Sequence, residues 1–364
     1  MSSALHGARV LLAAGGTGGH LQPTLAVASE ATARGARVIF VTTPSQVERI
    51  PDTYQTYALE LRGFTRALAP RAYLRTLALL AVATPRLLRI LAETRPDVAV
   101  GGGGFASGPV VALAAARGVP SLAMEADAHL GVANRLLRPF VRRMCLSFPI
   151  AGLCPPKYVV TGRPLAREQV SATGEEGREA FALQADTTVV LAFGGSQGAQ
   201  SINRACVDAF GGRTLPFELI HVCGSRNHGE VRAALEAKGE AFERYHLVPY
   251  TGRLAAAMAA SSLVIARAGG SVAELAALGK PAILVPYPHA TGDHQRKNAG
   301  WMQDGDAALM VDDSALSGPL LERLVGQLLG DPGRLRAMAA ASAALGRPDA
   351  ARRVVDEIES IIER

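Results

Sequence analysis

The sequence predicts an α/β protein of two doubly wound, Rossmann-like domains with parallel sheets. Short β-branched or apolar runs alternate with Ala/Leu-rich helical stretches along the whole chain, which is the pattern of βαβ units. The strand, Gly-rich turn and helix that open the chain, with AAGGTGGH at residues 13–20, recur as AFGGSQGA at residues 192–199. A length of 364 residues suffices for about two domains of ordinary size.

In chain order, the first half offers strands at Arg9–Ala14, Val38–Thr42, Val98–Gly101, Ser121–Glu125, Arg143–Leu146 and Tyr158–Thr161. The second half offers Thr188–Phe193, Glu218–Cys223, Tyr245–Val248, Leu263–Ala266, Ala282–Val285 and Ala308–Val311. The expected domains are residues 1–162 and 163–345, with the polar, Gly-containing stretch Thr161–Gly177 as a hinge. The amphipathic C-terminal segment within residues 346–364 has the character of a helix able to pack back on the first domain.

Composition bounds the function. Hydrophobic residues at 49% with 19% charged exclude a disordered chain. Cys145, Cys154, Cys206 and Cys223 form no C-x-x-C pair and no metal-ligand spacing, so they read as buried small hydrophobes in a reducing compartment. Residues 1–8 lack the regions of a signal peptide, and no run of about 18 apolar residues could span a bilayer. Net charge is +9 over residues 1–162 and −3 over residues 163–364, so the first half suits an anionic partner. Aromatic residues at 5%, not interleaved with a basic stripe, argue against nucleic acid and for an anionic membrane surface.

The glycine turns carry the chemistry. A strand, glycine turn and helix place unpaired N–H groups and the positive helix end against a phosphate. Gly16-Thr17-Gly18 is half of a dinucleotide fingerprint, but Leu21 replaces the third glycine and Thr42-Thr43 stand where a ribose-binding acid belongs, which speaks against NAD. Gly279-Lys280 is followed by Pro281 and preceded by no phosphate loop, so this is not a P-loop NTPase. Gly194-Gly195-Ser196-Gln197-Gly198 suits a diphosphate. Arg267-Ala268-Gly269-Gly270-Ser271 with Glu274 offers a cation, backbone donors and a carboxylate, the set a nucleoside diphosphate needs. Complementing the helix dipole is the plainer account of Glu274.

These motifs, with Gly102-Gly103-Gly104-Phe105-Ala106-Ser107-Gly108-Pro109 and His294-Gln295 plus Asn298, together resemble the MurG family. These are the peptidoglycan glycosyltransferases of family 28, which add N-acetylglucosamine to lipid I. The resemblance covers most of the chain and implies a GT-B fold, its two domains facing across a cleft. The acceptor belongs to the N-terminal domain and UDP-N-acetylglucosamine mainly to the C-terminal one. It implies that Thr17, Gly18 and Gly19 border donor sugar and acceptor diphosphate, and that Ser196 meets the donor phosphate. It further implies that Thr251 contacts uracil, that Gly270, Ser271, Val272, Ala273 and Glu274 wrap phosphate and ribose, and that Gln295 addresses the sugar.

The family's His-Glu-Gln-Asn reads Met124-Glu125-Ala126-Asp127 here, with Asp127 at the donor-contacting position and His129 nearby. The phosphate-binding arginine of the linker becomes Arg163 or Arg167, and the Arg267–Glu274 spacing is one residue shorter. A transferase of the same fold with another lipid or natural-product acceptor, or a UDP-GlcNAc epimerase-like enzyme, would use the same donor motifs.

Inverting transfer needs a base for the attacking hydroxyl and a stabiliser for the departing diphosphate. His20, which the helix dipole would keep neutral, or Glu125 is the expected base; helix N-termini and Arg267 are expected to stabilise UDP without metal or cofactor. Asp304-Gly305-Asp306, the one Asp-x-Asp, reads as a helix-ending turn. Arg71–Ile90 reads either as a core helix, as Leu-rich helices more often are, or as a basic-rimmed amphipathic patch on an anionic leaflet, and the resemblance implies the patch, at the cytoplasmic face of the membrane. Tyr73, Leu74, Leu77, Leu80, Leu87 and Leu88 would be its apolar side, Arg71, Arg75, Arg86 and Arg89 its rim, and Thr84-Pro85 would interrupt it.

Overall fold

The computed structural model describes residues 4–15, 18–60, 70–195, 198–239 and 243–363, with the backbone alone at residue 18 and over 70–81. It comprises two compact units: Met1–Ala166 with Pro348–Arg364, and Arg167–Arg347.

The first unit runs β1 (Arg9–Ala13), α1 (Gly18–Ala33), β2 (Arg37–Thr42), β3 (Gln55–Ala58), α2 (Pro70–Thr94), β4 (Val98–Gly101), α3 (Ser107–Ala116), β5 (Ser121–Glu125), α4 (Val132–Leu137), β6 (Arg143–Leu146) and β7 (Tyr158–Val160). Its all-parallel sheet has the order β3-β2-β1-β4-β5-β6-β7. A parallel sheet is covered on both faces, which is why its central strands are unbroken apolar runs. Leu12 sits between Phe40 and Val100 in register, and alternate residues face opposite layers. Val10, Leu12, Phe40 and Val100 pack with Leu21 and Val27 of α1, whereas Leu11, Ile39 and Ala99 pack with Leu87, Ile90 and Val110.

Three expectations are corrected here. β3 (QTYA) was not among the expected strands, because an edge strand with Gln55 and Thr56 lacks the apolar run of an interior one. Thr84-Pro85 does not interrupt the helix: α2 is continuous with Pro85 inside it. Proline removes one backbone hydrogen bond, but Ala83, Leu87, Ile90 and Leu91 bury that half of α2 against the sheet. Cys154 is exposed, while Cys145, Cys206 and Cys223 are buried.

The second unit runs α5 (Arg167–Val170), α6 (Gly174–Ala180), β8 (Val189–Phe193), α7 (Gln200–Phe210), β9 (Glu218–Val222), α8 (His228–Glu236), β10 (Tyr245–Val248), α9 (Leu254–Ala260), β11 (Leu263–Ala266), α10 (Ser271–Ala277), β12 (Ala282–Leu284), α11 (His294–Asp304), β13 (Ala308–Met310), α12 (Gly318–Leu329) and α13 (Pro332–Leu345). Its sheet, also all parallel, has the order β10-β9-β8-β11-β12-β13. Part of the stretch expected as a hinge is helical: Thr173 caps α6 in a reciprocal box with Glu176, and α6 packs on α9. Asp304-Gly305-Asp306 ends α11, with Gly305 as its C-cap and Asp306 at φ 57°.

The chain then returns to the first unit. The final helix, α14 (Ala350–Ile362), lays Val354, Val355, Ile358 and Ile361 into that unit's core, each worth at most about 1.5–3 kcal/mol. Arg34, just past the end of α1, fixes it by ion pairs to Asp356 (2.8 Å) and Glu359 (3.0 Å), and Arg143 pairs with Glu357 (3.2 Å).

Candidate active site

In both sheets the strand order reverses between two central neighbours, β1/β4 and β8/β11. Open α/β sheets bind ligands outside the carboxyl ends of the strands at such a switch point. All four Gly-rich turns leave the sheets there, two in each unit. The near-copy of the first turn at residues 192–199 is thus the same topological position in the second sheet.

In the first unit the turns after β1 and β4 touch. Gly104, at φ +76°, lies so close to the Gly15 carbonyl oxygen that a Cβ would collide with it. The imidazole of His20, on the first turn of α1, lies over Gly103 and Gly104, with Cδ2 2.6 Å from where a Gly103 Cβ would stand. Thr24 Oγ1 donates to the His20 carbonyl (2.8 Å). Gly19, just before it, is exposed. Thr17 lies outside the described residues, and Gly18 begins α1.

Glu125 ends β5, buried, with both carboxyl oxygens in use. Oε2 accepts from the Gly131 N–H (2.8 Å) and Asn134 Nδ2 (2.9 Å), and Oε1 from the Asp127 N–H (3.2 Å). Burial raises its pKa, opposed by those donors. This arrangement holds the loop carrying Asp127 and His129, and Asn134, which sequence reasoning missed, completes it. A carboxyl whose folded pKa exceeds its unfolded value gives stability present below about pH 4.3 and lost as pH rises through the folded pKa. Glu125→Gln is therefore expected to shrink the fall in Tm as pH rises above about 4.3; equal falls in melts of both proteins would count against this.

Arg163 is not an open phosphate ligand. It is buried, donates to the Ala126 carbonyl (3.1 Å) and to the Gly19 carbonyl, and so ties the β5–α4 loop to the start of α1. Arg167, at the start of α5, is exposed.

In the second unit, α7 and α10 begin behind the two turns with Ala199 and Gly270 as N-caps, neither able to cap by a side chain. At α10 the Val272 and Ala273 N–H groups already donate to the Gly269 (3.3 Å) and Gly270 (3.1 Å) carbonyls, so the start of α7 is the one better suited to an anion. Gly198, at φ +75°, packs against the Cys223 carbonyl and Asn227; Ser196 lies outside the described residues. Around the β11 turn, Ser271 Oγ donates to the Arg267 carbonyl (3.1 Å), and Val272 is wholly buried with its N–H donating to the Gly269 carbonyl (3.3 Å). Ala273 and Glu274 follow half-buried in the first turn of α10. α11 packs onto the same turn: Asn298 Nδ2 donates to the Ala268 carbonyl (3.2 Å), and Gln295 accepts from the Tyr287 N–H (2.9 Å) with Nε2 beside Gly269. Thr251, after β10, accepts from the Arg253 N–H (2.9 Å).

Arg267 is a second correction. Its guanidinium, 9% exposed, donates to the Val285 and Pro286 carbonyls, to Asp313 (2.5 Å) and to Ser201 (2.9 Å), so it is engaged by protein acceptors rather than offered to a diphosphate. Among the described residues, no group of three or more His, Cys, Asp or Glu is placed to hold a metal ion.

The glycosyltransferase family 28 N-terminal domain matches residues 10–146, and the family's C-terminal domain matches residues 189–354. The chain belongs to glycosyltransferase family 28. A family 28 relative from Halothermothrix orenii is 35% identical over 96% of this chain and 98% of its own. It is a UDP-N-acetylglucosamine–N-acetylmuramyl-(pentapeptide) pyrophosphoryl-undecaprenol N-acetylglucosamine transferase. The crystal structure of Acinetobacter baumannii MurG is similar over 97% of this chain and 99% of that one, with TM-score 0.77 and 27% identity. A UDP-GlcNAc 2-epimerase from Neisseria meningitidis, at TM-score 0.65 and 14% identity over 96% of this chain and 99% of that one, shares the fold alone. The family 28 chain thus has the GT-B architecture of two Rossmann-like units.

Proposed function

We infer that this chain transfers N-acetylglucosamine from UDP-N-acetylglucosamine to the C4 hydroxyl of N-acetylmuramic acid in lipid I, forming lipid II for bacterial peptidoglycan. The observation that carries the reading is the second unit's pair of glycine turns at the β8/β11 switch point with Gln295 beside Gly269, in a chain matched end to end by the transferases. The acceptor oxygen forms a bond to the anomeric carbon as the bond from that carbon to UDP breaks, inverting the centre. His20 takes the hydroxyl proton. The N-terminus of α7 holds the charge that develops on the diphosphate. Glu125, its oxygens already engaged, holds the Asp127 loop. Arg167 is the exposed cation left for a phosphate. UDP release that requires both UDP-GlcNAc and lipid I is the expected assay result; release without acceptor refutes transfer.

The lipid-linked acceptor places the reaction at the cytoplasmic membrane face, and none of the described helices is long and apolar enough to cross a bilayer. The side chains of Tyr73, Leu74, Arg75, Leu77 and Leu80 lie outside the described residues. Leu87 is core rather than surface, while Arg86 and Arg89 are exposed. Stronger support comes from α4 and the turn after it: Val132, Leu136 and Phe140 are 61%, 62% and 50% exposed beside exposed Arg135, Arg138 and Arg142. No Asp or Glu occurs between Asp127 and Glu168. An apolar, basic face of this kind suits an anionic leaflet. Replacing Leu136 and Phe140 by aspartate is expected to weaken flotation with anionic vesicles at least roughly tenfold; unchanged flotation refutes this placement.

A further inference from the structure

We propose that Asp313 is a positioning residue for the donor site, acting with Ser201 through Arg267. The inference rests on the second unit's binding UDP-GlcNAc. Three elements assigned to the donor converge on one guanidinium. Ser201 belongs to the first turn of α7, behind the Gly194–Gly198 turn, and receives Arg267 Nη2 at 2.9 Å. The Gly269–Ser271 turn starts from Arg267 itself, and Ser271 Oγ returns to its carbonyl at 3.1 Å. The Tyr287 ring lies 5.5 Å from the guanidinium carbon, and the Tyr287 N–H holds Gln295. A buried charge at such a junction is costly unless it is balanced. Asp313 supplies that balance: its Oδ1 accepts from Arg267 Nη1 and from Ser201 Oγ, both at 2.5 Å.

Asp313 follows β13, far in sequence from every glycine turn, and bonds the Arg267 and Ser201 side chains. Removing the carboxylate leaves Arg267 underbalanced, so the three donor elements lose their common anchor. The expected consequence is on ground-state donor binding, because the network acts on the elements that would hold the donor.

Isothermal titration with UDP, initial rates at varied UDP-GlcNAc and thermal melts of Asp313→Ala, Asp313→Asn and Ser201→Ala test this. Asp313→Ala is expected to weaken UDP binding and raise the donor KM on the order of tenfold, the size of one lost charge-assisted hydrogen bond, with kcat changed far less. Asp313→Asn keeps an acceptor oxygen but not the charge and is expected to recover only part of the affinity; Ser201→Ala gives the same split, more weakly. Lower Tm with unchanged UDP affinity and KM in all three variants overturns the proposal, leaving a purely structural network. Tighter UDP binding by Asp313→Ala also overturns it, because the freed Arg267 would then be a direct phosphate ligand. Failure of the wild-type protein to bind UDP removes the donor-site reading and this inference together, whereas binding in the wild type with unaltered variants removes this inference alone.

Discussion

Replacing His20 by alanine is expected to lower turnover about 10²- to 10⁴-fold, the range over which a positioned general base contributes, while UDP binding stays intact. The expectation follows from where the side chain is held. α1 begins at Gly18, so the imidazole leaves the first helical turn directly after the β1 glycine turn. It rests on the Gly103 and Gly104 backbone, with Nδ1 3.5 Å from the position of a Gly104 Cβ. Glu125, the other candidate base, has both oxygens occupied by N–H donors of its own loop and by the Asn134 side chain of α4, and burial disfavours its charged form. His20→Gln, which keeps a polar group of similar reach without a comparable base, should lose nearly as much activity as His20→Ala. Near-normal initial rates in both variants would sink the assignment, and equal loss of rate and UDP affinity would point to binding instead.

Gly104→Ala is expected to destabilise the first unit by about 2–5 kcal/mol, summing left-handed backbone strain and overpacking. A side chain there meets both obstacles at once, a φ of +76° and the Gly15 carbonyl oxygen. The backbone oxygen cannot rotate aside as a flexible side chain could. Gly118 separates the two causes: its φ is +82°, but no atom lies within 4 Å of a Cβ. Gly118→Ala should therefore cost only the backbone part, about 1–2 kcal/mol. Thermal melts of both variants decide the matter, and equal shifts in Tm would show that contact between the two glycine turns contributes nothing.

The central strands were legible because a parallel sheet covered on both faces demands uninterrupted apolar runs, as in Val10–Leu12 and Leu263–Ile265. β3 was not, because an edge strand obeys no such demand. Pro85 misled for a related reason: a local rule about hydrogen bonding yielded to burial of Leu87, Ile90 and Leu91. Site legibility divides in the same way. Turn positions such as Gly104 and Gly198 follow from strand, glycine and helix in immediate succession. What a charged side chain does depends on partners distant in sequence, so Arg163 and Arg267 looked like phosphate ligands until Ala126, Gly19, Ser201 and Asp313 were seen to engage them. Asp313 and Asn134 carry no local motif, and only the tertiary structure reveals them.

The return of α14 to the first unit sets an order of events during synthesis. Residues 167–347 contain every strand of the second sheet and can close their core while the chain is still emerging. The first sheet leaves the ribosome earlier, yet the face that receives Val354, Val355, Ile358 and Ile361 stays uncovered until the last turns of helix have been made. The half translated first is therefore the half completed last, and a nascent chain halted before residue 350 would present that apolar face to chaperones.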